Sequence, residues 1–315
     1  MARSKVTVVG SGFVGSTSAQ RIFEAGIADV CLIDIIEGKP QGIALDLMQA
    51  APVLGVEGRI VGTNNAKDTY GSDVVLMTAG LPRKPGMDRS DLLEVNGKII
   101  NDVADYVRNG SPNAVVIVVT NPLDTMVYLM QKRTKFQPER VIGMAGVLDS
   151  ARMRCFLGME LHMGVSDIDA MVLGGHGDSM VPLPRFATVN GISIPNLITK
   201  ERIAAINDRT RNGGAEIVSL LKTGSAYYAP SAASFAMVKA ILHDERRVLP
   251  CAAHLRGQYG LEGIYMGVPC VLGAKGVEDI VELPLEAPER DLLHKSAEAI
   301  RKDVTILKQK GLLAE

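Results

Sequence analysis

Within the first 144 residues, six short and almost continuous apolar runs recur with a helix-length segment between most of them. They are KVTVVG (5–10), DVCLID (29–34), GRIVGT (58–63), DVVLMTAG (73–80), AVVIVVTN (114–121) and RVIGM (140–144). A strand whose successive residues are all apolar has no face to give to water, so it belongs inside a sheet covered on both sides. Alternation with helices makes that sheet parallel, because parallel neighbours need a crossover, and the fold class that follows is α/β, doubly wound.

After residue 145 the pattern changes. A helix with mixed faces is expected over 149–162, then extended segments joined by turns through DIDAMVLGGHGD and MVPLPRFATVNGISIP. Two long helices follow at about 199–222 and 229–243, a hairpin around Gly273 to Gly276, and a charged amphipathic helix over 287–311. The division expected is therefore residues 1–144 as a nucleotide-binding unit and 145–315 as a separate α+β unit, packed tightly with a site between them.

Bulk properties narrow the function. Lys and Arg number 34 against 35 Asp and Glu, a net charge of -1, so no global field draws the chain to nucleic acid or an anionic membrane. The longest clean apolar run, 114–119, is far short of the roughly 20 residues of a spanning helix, and the N-terminus carries no secretory signal pattern. Cys31, Cys155, Cys251 and Cys270 are widely spaced with no C-x-x-C pair and read as reduced residues. A soluble, cytoplasmic protein that meets no membrane or nucleic acid is expected.

The first strand runs into Gly10-Ser11-Gly12-Phe13-Val14-Gly15 and then a helix. Glycines at this spacing permit a tight turn, a close approach of backbone to a pyrophosphate and close helix-strand packing, while the helix N-terminus offers free N–H groups. The second strand ends in Asp34, 19 residues beyond Gly15. A carboxylate there accepts the hydroxyls of an adenosine ribose and repels a 2′-phosphate, and Ile35 and Ile36 supply no arginine to welcome one, so NAD is favoured over NADP.

TAGLPRKPGMDRSDLLEVN (78–96) leaves the fourth strand at the sheet edge where ligands of such folds bind. Arg83, Lys84 and Arg89 sit among prolines and glycines, a composition that suits a closing lid as well as a solvated loop. A guanidinium fork grips a carboxylate through two parallel hydrogen bonds. Asp149 and Arg152, at i and i+3, share a helix face and point to one cleft or form a surface pair. LGGHGDSMVP (173–182) sets His176 between glycines, open to being a base, part of a metal site with Asp178, or a polar turn residue.

In combination and order, GSGFVG, LID, AGLPRKPGMDRSDLL, VTNPLD, GMAGVLDSARMR and GGHGDSMVP resemble the lactate/malate dehydrogenase family, in its NAD-dependent malate dehydrogenase branch, from Lys5 to the C-terminal helix. The resemblance implies a Rossmann domain followed by that family's α+β catalytic domain. It makes His176 the proton acceptor and Asp149 the carboxylate that fixes its tautomer, so that Asp178 is not the partner. It assigns Arg152 to the substrate's C1 carboxylate, Arg89 to the reacting carbonyl, Asn121 to the substrate oxygen and Arg83 to the choice of substrate.

At the position of Arg83 the lactate enzymes usually hold glutamine, whereas an arginine neutralises the second carboxylate of oxaloacetate. A buried, unpaired charge costs several kcal/mol when the wrong substrate binds, which at about 1.4 kcal/mol per decade gives roughly 100-fold discrimination or more. Ala226 aligns with a site where lactate enzymes tend to carry threonine. The resemblance also implies a cis Asn121–Pro122 peptide, a nicotinamide side lined by Asn96, Val119, Thr120 and Asn121, and Thr78, Ala79 and Gly80 beside the adenosine or pyrophosphate. A homo-oligomer, dimer or tetramer, and a place in the tricarboxylic acid cycle accompany it. The alternatives are a lactate or other 2-hydroxyacid dehydrogenase on the same scaffold, a catalytically silent NAD-binding protein, and a metal-dependent hydrolase built on His176 and Asp178. The remaining histidines form no ligand-spaced cluster, and no metal is expected.

Overall fold

The computed structural model describes residues 3–82 and 89–313. The first half contains β1 (Lys5–Val9), α1 (Phe13–Glu24), β2 (Asp29–Ile33), α2 (Lys39–Leu54), β3 (Ile60–Thr63), β4 (Val74–Met77), α3 (Arg89–Gly110), β5 (Val115–Val118), α4 (Leu123–Thr134) and β6 (Val141–Gly143). The second half contains α5 (Gly146–Leu161), the two-residue strands β7 (Ile168–Asp169), β8 (Val172–Leu173), β9 (Val181–Pro182), β10 (Thr188–Val189) and β11 (Ile192–Ser193), and α6 (Lys200–Leu221). It ends with α7 (Tyr228–Leu242), β12 (Arg247–Arg256), β13 (Glu262–Gly273), β14 (Gly276–Ile280) and α8 (Ala287–Gln309).

All six apolar runs become strands, and β1 to β6 pair in parallel in the order 3-2-1-4-5-6. Alternate residues of each strand enter opposite cores. In β4, Val74 and Leu76 join the cluster that holds Ile22, Phe23 and Met237, while Val75 and Met77 join the one that holds Ile100, Leu129 and Tyr265. At roughly 1.5–3 kcal/mol for each large side chain removed from water, these two layers are what make the sheet the centre of the fold.

The second half is less separate than its sequence implies. β12, β13 and β14 extend the same sheet to nine strands, with β12 antiparallel to β6 through Ala252 and Gly143. Position 143 has no room for a side chain: a Cβ there lies 2.7 Å from Val127 and 2.8 Å from Ala252. The hairpin between Gly273 and Gly276 forms as expected, whereas β12 carries no clean sequence signal. Its Pro250 lacks a donor, which argues against an interior strand, yet it stands directly opposite Pro269 of β13, so the two missing N–H groups fall on one rung.

Candidate active site

Strand order reverses at β1, between β4 and β2, and the glycine turn opens there. Gly10 has φ +97, and a Cβ on it would sit 2.8 Å from the Ala79 backbone. A Cβ on Gly15 would come within 1.8 Å of the Gly10 carbonyl oxygen, so this glycine is required for helix-strand contact. At Gly12 a Cβ meets nothing within 4 Å. Among the described residues nothing demands glycine at that place, which leaves open space beside the backbone for a ligand. Gly12 caps α1 without any side-chain bond, which leaves first-turn amides available to an anion.

Asp34 closes the same turn. Its Oδ2 accepts from the Ser11 amide at 2.6 Å and the Ser11 hydroxyl at 2.7 Å, and its Oδ1 accepts from the Ile36 amide at 3.0 Å. Partial burial pushes its pKa up, but these hydrogen bonds outweigh burial and hold it below the usual carboxylate value. The carboxylate is therefore charged at neutral pH, as recognition of a ribose diol requires. The residues present fit NAD.

Three loops meet beside this turn. Thr78 donates to the carbonyl oxygen of Val9 at 2.8 Å, and Thr120 to that of Ala79 at 2.7 Å. Asn96, expected beside the nicotinamide, is 1% exposed and commits its amide to the backbone of Leu81 and to the Asn121 carbonyl at 2.7 Å. It braces the segments after β4 and β5 against each other. Val119 is partly buried, Phe13 and Gly80 are exposed, and Asn121 is exposed at the start of a cis peptide to Pro122. Val14 lies in the first turn of α1.

The second cluster is built on α5, which begins at Gly146, earlier than its sequence suggests, and so places Asp149 in the first turn. A carboxylate there is favoured by the helix dipole. Asp149 is 1% exposed; its Oδ2 lies 2.9 Å from His176 Nδ1, and its Oδ1 accepts from Arg152 Nη1 at 3.1 Å. The turn carrying His176 is tied to β13 by two backbone hydrogen bonds between Gly174 and Gly267. Burial of the imidazole disfavours its charged form, yet the charge and hydrogen bond of Asp149 prevail, and the His176 pKa stands above its ordinary value. Arg152 packs against Gly213 and Gly214 of α6, and its Nε is buried with no hydrogen-bond partner among the described residues, a donor still to be satisfied.

Arg89 begins α3 and turns to the C-terminal helix: Nε and Nη2 reach the two oxygens of Asp303 at 2.7 and 2.5 Å. That pairing raises its pKa. Arg83 lies outside the described residues, and Ala226 is half-buried just before α7. Three residues near the cleft were not assigned any role from sequence. Asp124 accepts the His176 amide, Ser296 accepts the Gly175 amide at 2.8 Å, and Asp303 holds Arg89. Only Asp124 lay inside a quoted motif, and no spacing rule linked it to a residue 52 positions away.

Comparison with known proteins agrees with this geometry. Residues 4–143 match the lactate/malate dehydrogenase NAD binding domain, and residues 146–310 the lactate/malate dehydrogenase alpha/beta C-terminal domain. A malate dehydrogenase of Roseiflexus sp. (strain RS-1) is 56% identical over 306 residues, 97% of this chain and 99% of that protein. The crystal structure of Cryptosporidium parvum malate dehydrogenase superposes with a TM-score of 0.95 at 46% identity, covering 98% of this chain and 99% of that one. A lactate dehydrogenase of the same organism, complexed with lactic acid and nicotinamide adenine dinucleotide, gives 0.95 at 43% identity over 98% and 99%. The chain belongs to the lactate/malate dehydrogenase family of NAD-dependent oxidoreductases.

Proposed function

We propose that the chain catalyses the reversible, NAD-dependent oxidation of (S)-malate to oxaloacetate. The observation that carries the reading is the partly buried Arg152 side chain, anchored on Asp149 yet with its buried Nε unsatisfied, beside a histidine whose ring is oriented by that same carboxylate. A site of this kind takes a small 2-hydroxy or 2-oxo acid. The choice of a dicarboxylate rests on Arg83 and on relatives named malate dehydrogenase at 56% identity.

In this reading Arg152 grips the C1 carboxylate, Arg83 the second carboxylate, and Asn121 the reacting oxygen, with Arg89 polarising the carbonyl. Nδ1 of His176 is committed to Asp149, which leaves Nε2 to exchange the proton with the substrate hydroxyl. In malate oxidation neutral His176 takes that proton; in oxaloacetate reduction the imidazolium returns it, stabilised by Asp149. NAD supplies the hydride acceptor when bound. Gly10, Ser11, Gly12, Phe13, Val14 and Gly15 cradle its pyrophosphate, Asp34 takes its ribose, Thr78, Ala79 and Gly80 lie beside the adenosine half, and Asn96, Val119, Thr120 and Asn121 border the nicotinamide side. Residues 1–144 thus form the NAD-binding domain, which also lends Arg83, Arg89 and Asn121 to the substrate, and 145–315 the catalytic domain.

A homo-oligomer, dimer or tetramer, in the cytoplasm and serving the tricarboxylic acid cycle completes the reading. Exposed Leu45, Met48 and Val53 on α2 support contact with a second copy, and the four free cysteines support a reducing compartment. No described helix is long and apolar enough to cross a membrane. A second reading, a lactate dehydrogenase, has the 0.95 TM-score superposition in its favour.

Steady-state kinetics separate the two. Wild type is expected to favour oxaloacetate over pyruvate by about 100-fold or more in kcat/KM, and Arg83→Gln to narrow that ratio by at least tenfold, at roughly 1.4 kcal/mol per decade. Equal use of pyruvate by wild type sinks the dicarboxylate argument.

A further inference from the structure

Asp124, the second residue of α4, is a carboxylate 5% exposed, and no described residue forms an ion pair with it. Its Oδ2 accepts the His176 backbone N–H at 2.9 Å, while its Oδ1 is buried with no hydrogen-bond partner among the described residues. Holding half a carboxylate unsatisfied away from water is costly, and a neutral residue would relieve the cost.

The neighbourhood is shaped to admit it. A Cβ on Gly175 would lie 3.3 Å from Asp124 Oδ2 and 3.2 Å from Ser179 Oγ, tight against both. The Gly175 amide is taken by Ser296 of α8. Two consecutive amides of the turn are thereby fastened to two different helices, and the imidazole between them is held by a third, α5.

Resting on the reading of His176 as the proton acceptor, we propose that Asp124 is a positioning residue for the reaction. It pins the His176 main chain from α4 while Asp149 orients the ring from α5, and its negative charge adds to the stabilisation of the imidazolium. The other charged groups around the turn are Arg152 of α5, which opposes the imidazolium, Asp178 on the turn itself, and Arg89 of α3 paired with Asp303 of α8. Asp124 therefore works with Asp149 and against Arg152.

The test uses the full chain as wild type, Asp124→Ala and Asp124→Asn, with oxaloacetate reduction, NADH binding, thermal unfolding and titration of the His176 ring by NMR. Loss of a residue that orients a catalytic group costs roughly 10–100-fold, so Asp124→Ala should lower kcat on that scale with KM for NADH within about twofold. Asp124→Asn keeps an oxygen for the His176 amide and should recover most of that loss. Both variants lack the charge, so both should titrate His176 at lower pH and move the alkaline limb of reduction to lower pH. An unshifted His176 titration, or a kcat in Asp124→Ala equal to wild type, overturns the proposal. Equal kcat losses in both variants, accompanied by lower melting temperatures and weaker NADH binding, also overturn it by reducing Asp124 to a folding residue. If wild type fails to reduce oxaloacetate, the functional reading falls on its own, while the NMR titration still reports whether Asp124 acts on His176.

Discussion

The ring of His176 and the carboxylate of Asp149 meet at 2.9 Å across 27 residues of sequence, with the second oxygen of that carboxylate occupied by Arg152. One buried anion thus sets both the proton-handling nitrogen and the guanidinium beside it. Removing its charge while keeping its shape should be severe. Asp149→Asn is expected to lower kcat by about 100-fold or more, since an amide no longer stabilises the imidazolium or enforces its tautomer. Stopped-flow reduction of oxaloacetate, with circular dichroism to verify folding, measures the loss; a decrease of less than about fivefold would contradict the assigned role.

The raised pKa of His176 sets opposite pH profiles for the two directions. Reduction needs the imidazolium, so its kcat/KM should fall as pH rises through the His176 pKa; oxidation needs the neutral ring and should rise over that same interval. Both transitions should lie above the ordinary imidazole value of about 6.5. Initial rates in both directions from pH 6 to 9.5 check this, and a common transition below that value would refute it.

Asp124 carries a signature in stability. Burial pushes its pKa up to about 6, against the opposing hydrogen bond from His176. The folded chain holds the proton up to about pH 6, whereas an unfolded chain releases it near pH 4, so folding stability falls as pH rises through that window. A shift of about two units at 1.36 kcal/mol each is about 3 kcal/mol. Asp124→Asn should therefore gain melting temperature relative to wild type by several degrees between pH 4 and pH 7, followed by scanning calorimetry. A constant difference across that range would show that Asp124 does not carry the penalty.

Gly12 separates a requirement of the fold from one of the ligand. Because a Cβ at this position meets nothing within 4 Å, Gly12→Ala should change stability by less than about 1 kcal/mol. Its NADH affinity should nonetheless drop by tenfold or more, as the methyl group occupies space a pyrophosphate needs. Fluorescence titration with NADH decides the matter; unaltered affinity would remove Gly12 from the cofactor site.

In the proposed reading the Asp34 carboxylate repels a 2′-phosphate. Asp34→Ser should weaken NADH and strengthen NADPH, shifting their kcat/KM ratio by at least tenfold toward NADPH, since the repelling charge is gone. Its bonds to Ser11 and Ile36 are also lost, so some destabilisation of the turn should accompany the change.

The amino-acid sequence by itself determined whatever rests on local periodicity and local chemistry. Val74 to Met77 and Val115 to Val118 are apolar at every position, so they become strands buried on both faces. Gly10 and Gly15 permit one kind of turn, and Asp34 follows at the end of the next strand. The partnership of Asp149 with His176 was legible only through the family resemblance, because the nearer Asp178 offered a competing pair.

Tertiary structure alone decided the rest. β12 joins the parallel sheet through Gly143 and Ala252, a contact set by a glycine and an alanine more than 100 residues apart, and its Pro250 hides it from any propensity rule. Asp124, Ser296 and Asp303 reach the site from α4 and α8, and Asn96, expected on the nicotinamide side, braces two loops against each other. Periodicity reports which face a residue turns inward. Which distant donor it finds there depends on how the helices pack, and that is settled only when the sheet has brought them together.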